Sequence, residues 1–186
     1  MGVVSAFFVA LFAEMYGFPL TIYLLTGWLG DAYPALEPFS HKLGHLWVVV
    51  LGGSTLAWAI VMSLSLLLMM MGYALLSKGW TQIHAAHGEL VTNGIYSYAR
   101  HPQYTGLFLV IIGFLVQWPT ILTVIMAPVL LFAYVHLARI EERREEVEFG
   151  EAYENYVRNT PTFYPPLNQW KAFLMEDVDQ RQHGGH

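Results

Sequence analysis

Apolar residues along this chain come in long blocks, not at the alternating or one-faced spacing of a soluble domain. The first block covers residues 3–28, interrupted by Glu14 and by Pro19, whose missing N–H and ring favour a kink. A polar connector, residues 30–45, leads to a second block, residues 46–76. As one helix that block would extend about 46 Å, more than the roughly 30 Å of a bilayer core, so it must tilt, project into the cytosol or divide into two helices. After a polar segment, residues 77–100, Pro102 suits the first turn of a third span that carries on to Trp118. Trp118-Pro119 reads as a tight turn, and residues 120–138 return as a fourth span with Pro128 inside.

This pattern predicts an all-α, polytopic membrane protein of about four transmembrane helices, with spans three and four as a tight hairpin. From Arg139 a charged helix is expected to run to about Arg158. Its Phe149, Ala152, Tyr153 and Tyr156 recur at helical spacing, which makes it a cytosolic C-terminal amphipathic helix. Residues 1–166 form a single membrane-embedded domain in this reading, and residues 167–186 a loosely ordered tail.

Composition agrees with the bilayer as main solvent: 55% of the 186 residues are hydrophobic and 12% charged. Cysteine is absent, which excludes disulfides, thiolate metal sites and a catalytic thiol. Glu14 and the lack of a basic start argue against a cleaved signal peptide, so the first block is expected to be a retained helix. The net charge of −5 and the lack of a dense basic run make nucleic acid an unsuitable partner. With four spans, Lys78, Arg100, Arg139, Arg143, Arg144, Arg158, Lys171 and Arg181 fall on one side and Lys42 alone on the other. That bias places both termini and the connector between spans two and three in the cytoplasm.

The polar chemistry is therefore expected at the cytoplasmic face. Arg100 and His101 stand where Pro102 opens a helix, whose positive dipole end and backbone donors suit an anion such as a carboxylate. Glu141 and Glu142 emerge at the end of span four, held beside them by the hairpin, and a buried carboxylate there needs a cation. Tyr96, Tyr104, Tyr153 and Tyr156 offer aromatic faces to that cation. The competing account is plain: Arg100 faces lipid phosphates, His101 packs, and the 141–148 run is a solvated charge run with Arg144 and Glu148 paired.

The Gly94-Ile95-Tyr96 turn, Arg100-His101-Pro102-x-Tyr104, Glu141-Glu142 and Phe149-Gly150-x-x-Tyr153-x-x-Tyr156, in that order, resemble the isoprenylcysteine carboxyl methyltransferases. Prokaryotic relatives and phosphatidylethanolamine methyltransferases share that superfamily. The resemblance covers about residues 75–165 and implies an integral membrane methyltransferase that uses S-adenosyl-L-methionine. Cofactor-binding roles would fall to Leu90, Val91, Tyr96, Arg100, His101, Pro102, Gln103, Tyr104, Glu141 and Glu142. Tyr153, Tyr156 and Arg158 are the substrate-side expectations, and His136 and Arg139 the catalytic ones. Leu137 stands where the eukaryotic enzymes have a substrate-binding arginine, and Asn159 where a basic residue is frequent. The acceptor is accordingly expected to be lipophilic but not a prenylcysteine: a thiol, an amine or a lipid headgroup.

Two other classes remain open on the sequence. His41 with His45, His84 with His87, and His183 with His186 have spacings a metal- or haem-binding membrane protein would use, although no metal-ligand set is assigned. Glu14 in the first span would suit a non-enzymatic scaffold or a transport subunit.

Overall fold

The computed structural model describes residues 46–119 and 121–175. The first span with Glu14, the connector with Lys42, His41 and His45, and the pair His183 and His186 lie outside the described residues. Every regular element among the described residues is helical. They are α1 (Leu46–Val50), α2 (Thr55–Ala85), a 3-10 turn (Gly94–Ser97), α3 (Pro102–Gln117), α4 (Ile121–Phe149), α5 (Glu151–Asn159), a second 3-10 turn (Leu167–Gln169) and α6 (Trp170–Met175).

The described residues fall in two compact units: one ends at Leu64 and includes Leu115–Val124, the other holds Ser65–Phe114 and the described residues after Val124. In the first, Val48, Ala57 and Val61 form a small core with Trp58, Met62 and Val116. The second apolar block is divided here. Gly52 and Gly53 take φ of 90° and 69°, values that end α1 and that residues with a Cβ rarely adopt. Ser54 then caps α2, its Oγ accepting from the Ala57 N–H at 3.0 Å.

The second unit holds the predicted chemistry. Here α2 does not stop with the apolar block at Leu76 but continues to Ala85, because the 77–85 segment contains no proline and one glycine, Gly79. Its end is set by His87 and Gly88, at φ 50° and 95°. Small residues let α2 and α3 approach closely: a Cβ on Gly72 would lie 2.5 Å from the Gly106 carbonyl oxygen, and one on Gly106 2.6 Å from that of Gly72. At 31 and 29 residues, α2 and α4 are long, and each contains a stretch apolar enough to cross a membrane. With 16 residues, α3 reaches only about 24 Å.

Two expectations are corrected. The charged helix from Arg139 to Arg158 is broken at Gly150, whose φ of 53° lets the chain turn between α4 and α5. Tyr153 and Tyr156 on α5 are buried while Glu151, Glu154 and Arg158 are exposed. Nor is the chain loosely ordered directly after Pro166. Phe173 on α6 is fully buried against Leu75, Ile95, Tyr96 and Ala99, and Lys78 Nζ donates to the Leu174 carbonyl at 2.9 Å. An aromatic side chain removed from water this completely is reason enough for the segment to be held.

Candidate functional site

The turn that opens at Gly94 (φ 57°) points Tyr96 into the interior, where three elements fix it. Its hydroxyl donates to Gln103 Oε1 at 3.0 Å, with the Gly79 carbonyl a longer alternative at 3.3 Å. Its own carbonyl accepts from Tyr156 Oη at 2.6 Å. Burial, ahead of neighbouring charges, pushes both phenols well above their ordinary range, so both keep their protons and act as donors.

Arg100 and His101 are tied to the chain after α5. Their backbone N–H groups bond at 2.9 Å to the Pro161 and Thr162 carbonyls. The Arg100 guanidinium pairs with Glu142 at 3.0 Å and donates to Thr162 Oγ1 at 2.6 Å. This binds the stretch after α5 to the start of α3. His101 is 2% exposed, with Nδ1 3.5 Å from a Glu141 oxygen and Nε2 3.5 Å from a Glu142 oxygen. Burial first, and the Arg100 charge second, lower its pKa to about 4, so at neutral pH these are contacts of a neutral ring and not ion pairs. A neutral imidazole carries one N–H, and Nε2 has no hydrogen-bond partner among the described residues. Tyr104 donates to Glu141 Oε1 at 2.7 Å and stacks on Tyr134, which fixes one oxygen of that carboxylate.

Two cavities meet at Arg100. The first, ≈ 330 Å³, is lined by Leu90, Val91, Tyr96, Arg100, His101, Gln103 and Glu141 from the expected cofactor set. Pro102, Tyr104 and Glu142 are not in its lining: Pro102 starts α3, Tyr104 holds Glu141, and Glu142 faces the second cavity. Residues not anticipated complete the wall, among them Glu89, Arg144, Glu145, Glu148 and Phe149. Glu141, Arg144, Glu145 and Glu148 follow i, i+3, i+4, i+7, a spacing visible in the sequence once the run is treated as helix. Tyr156, expected on the substrate side, also lines this first cavity.

The second cavity, ≈ 350 Å³, is lined by Arg100, Arg139, Glu142, Tyr153 and Arg158, with Arg143, Glu146, Glu154 and Val157. It collects Arg139 and two of the three substrate-side residues. His136 lines neither cavity; it is exposed and stacks on Phe132 at 6.4 Å. Among the described residues no three His, Asp or Glu side chains are grouped as a metal site, and the Nδ1 atoms of His84 and His87 contact the Trp80 and Ala85 carbonyls.

The family comparison agrees with the segments that build the first cavity. The phospholipid methyltransferase family model matches residues 47–152, from α1 to the start of α5. The chain belongs to this family. Among curated relatives, the nickel-cobalt-cadmium resistance protein NccN of Alcaligenes xylosoxydans xylosoxydans is 35% identical over 45% of this chain and 39% of its own length. The cobalt-zinc-cadmium resistance protein CzcN of Cupriavidus metallidurans is 31% identical over 60% and 54%. The protein-S-isoprenylcysteine O-methyltransferase of Schizosaccharomyces pombe is 31% identical over 41% and 33%. Each match thus covers about half or less of the relative. No solved structure matches. Two helices able to cross a bilayer, in a membrane methyltransferase family, mark the chain as a membrane protein.

The wall of the first cavity fits S-adenosyl-L-methionine chemically. That group carries two cations, one carboxylate and an apolar-faced ring system. Opposite it stand four carboxylates against two guanidiniums, two phenol faces, Phe149, and the aliphatic Leu90 and Val91. Tyr96 and Tyr156 supply the phenol faces, and the unpartnered His101 Nε2 belongs to the same wall.

Proposed function

We propose that the chain is an S-adenosyl-L-methionine-dependent methyltransferase of the cytoplasmic membrane face, acting on a lipophilic acceptor, with the cofactor in the first cavity. The observation that carries this is the acidic, aromatic-walled cavity built by the family's own segments around the buried, neutral His101. The cofactor supplies a methyl group already activated by its sulfonium, so the protein's task is to bind, align and exclude water. Glu141, set by the Tyr104 hydroxyl, and Glu145 hold positive charge. Tyr96 and Tyr156 present ring faces to it, and Leu90 and Val91 receive apolar surface. His101, neutral, adds a polar atom without adding a cation to a cation site.

On the acceptor side the reading keeps Tyr153, Arg158 and Arg139, which share the second cavity, and leaves out His136, which reaches neither. With Leu137 in place of a substrate-binding arginine, the acceptor is a thiol, an amine or a lipid headgroup in preference to a prenylcysteine carboxylate. Four spans with both termini cytoplasmic complete the proposal, supported by the basic-residue bias. Calorimetric titration of the purified protein in detergent with S-adenosyl-L-methionine and S-adenosyl-homocysteine tests it. Saturable binding of both is expected, and binding of neither ends the enzyme reading.

A further inference from the structure

The second cavity has a different character from the first. Arg139 and Arg143, one turn apart on α4, enter it from one wall, Arg158 on α5 from another, and Arg100 before α3 closes it. Two of these charges are answered: Arg100 pairs with Glu142 at 3.0 Å and Arg158 with Glu154 at 3.3 Å. No carboxylate among the described residues lies within ion-pair distance of Arg139 or Arg143. Like charges at i, i+4 on a helix repel unless something of opposite sign stands with them. Glu146 is the remaining carboxylate of the lining, so the arginines exceed the glutamates by four to three.

Two buried polar groups sharpen the point. Tyr153 is 2% exposed, and its hydroxyl stands near Glu145, Glu142 and Arg100 without the full geometry of a hydrogen bond to any of them. The Arg100 Nε is buried and likewise has no hydrogen-bond partner among the described residues. Buried donors left without acceptors are costly, and a ligand oxygen is one way to satisfy them. Guanidiniums lining one cavity, together with a phenol donor, match the lone pairs of a tetrahedral oxyanion.

We propose that the second cavity is an oxyanion-binding site for a phosphate group, with Arg139, Arg143, Arg158 and Tyr153 as the groups that hold it. Tyr153, Arg158 and Arg139 are also the acceptor-side residues of the proposed function, so as a statement about the acceptor's anionic group the inference rests on that reading, while anion binding itself is read without methyl transfer. It borders the first at Arg100, so an anion held there sits beside whatever the first cavity binds.

The experiment uses the full chain in a neutral detergent at constant ionic strength, titrated calorimetrically with inorganic phosphate. A second arm uses mixed micelles with a short-chain phosphatidate, against micelles with a zwitterionic lipid. Saturable phosphate binding is expected, weakened about 10-fold or more in the double variant Arg139→Gln, Arg143→Gln. Lys171→Gln removes a charge from α6, outside both cavities, and is expected to leave the affinity within about twofold. Binding of phosphatidate but not of free phosphate supports the site with its anion carried on a lipid; binding of both supports a free anion. Binding of neither phosphate nor phosphatidate, or an equal loss in Lys171→Gln, overturns the proposal. Cofactor titration of the same samples keeps that failure distinct from failure of the methyltransferase reading.

Discussion

The two cavities at Arg100 are of similar size and opposite sign, and one helix supplies charge to both. The first takes Glu141, Arg144, Glu145 and Glu148 from α4; the second takes Arg139, Glu142, Arg143 and Glu146. At about 100° per residue these two sets centre on opposite sides of the helix, so a run that looks like undifferentiated surface charge is two ordered faces. Residue order along the run sorts acid-rich from arginine-rich surface with no change of fold. The two chambers can therefore be tuned separately by substitutions one position apart.

The residue common to both chambers should matter most. Replacing Arg100 with Leu leaves the Glu142 carboxylate, 22% exposed, without its cation, and removes the donor to Thr162 that holds the chain after α5. Such a loss costs about 3 kcal/mol in partly buried pairs, and a clear fall in thermal midpoint in detergent is expected, with binding at both cavities reduced together. A variant as stable as the parent would show that Arg100 separates the chambers without supporting either.

Next in size is a change confined to the acidic chamber. Glu141→Gln should weaken S-adenosyl-L-methionine binding by about 1.5–3 kcal/mol, the scale of a hydrogen bond to a charged group. Glu145→Gln should weaken it less, because Tyr104 sets Glu141 with a 2.7 Å hydrogen bond whereas Tyr153 meets Glu145 only loosely. Equal and small losses in a calorimetric titration would return the whole run to solvated surface.

How much of this was legible in the sequence depends on what each feature rests on. The long apolar helices, Pro102 as the start of α3, and the joint appearance of Tyr96, His101, Gln103 and Glu141 in one wall follow from block length, proline chemistry and motif order. The break at Gly52-Gly53 decides between the one helix and the two that block length leaves open, and its signal is the paired glycines. The turn at Gly150 was missed for a similar reason: helical spacing from Phe149 to Tyr156 continues across a glycine that in fact interrupts the helix. Burial of Phe173, and the backbone bonds from Arg100 and His101 to residues 161 and 162, depend on contacts between distant segments that no local pattern encodes.

A pH titration of stability separates the neutral His101 from its charged surroundings. Its pKa is about 4 in the fold against 6.5 for the free side chain, so between these values the unfolded chain binds the extra proton. Its contribution is fully present above pH 6.5 and is lost as pH falls towards 4, with a slope of at most about 1.4 kcal/mol per pH unit. Thermal midpoints measured from pH 7 to 4 should show a component of this slope that disappears in His101→Asn. An identical profile in that variant would mean that the acidic wall, and not the imidazole, is what titrates.

The smallest expected effect tests how the aromatic wall of the first chamber is positioned. Tyr156→Phe keeps the ring and removes only the hydroxyl that donates to the Tyr96 carbonyl at 2.6 Å. The lost bond is worth about 1 kcal/mol, and because it holds the turn that aims Tyr96, the loss should appear in cofactor affinity as a decrease of about fivefold. The ring face that Tyr156 offers a cation is retained, so a larger effect is not expected from the electrostatics of the wall. Tyr153→Phe is the matched change in the arginine-rich chamber, where the hydroxyl makes no hydrogen bond of full geometry among the described residues. It should cost little in thermal stability and should weaken phosphate binding instead. If both variants lowered cofactor affinity equally and neither altered phosphate binding, the tyrosines would belong to one continuous chamber, and the division at Arg100 would have no functional meaning.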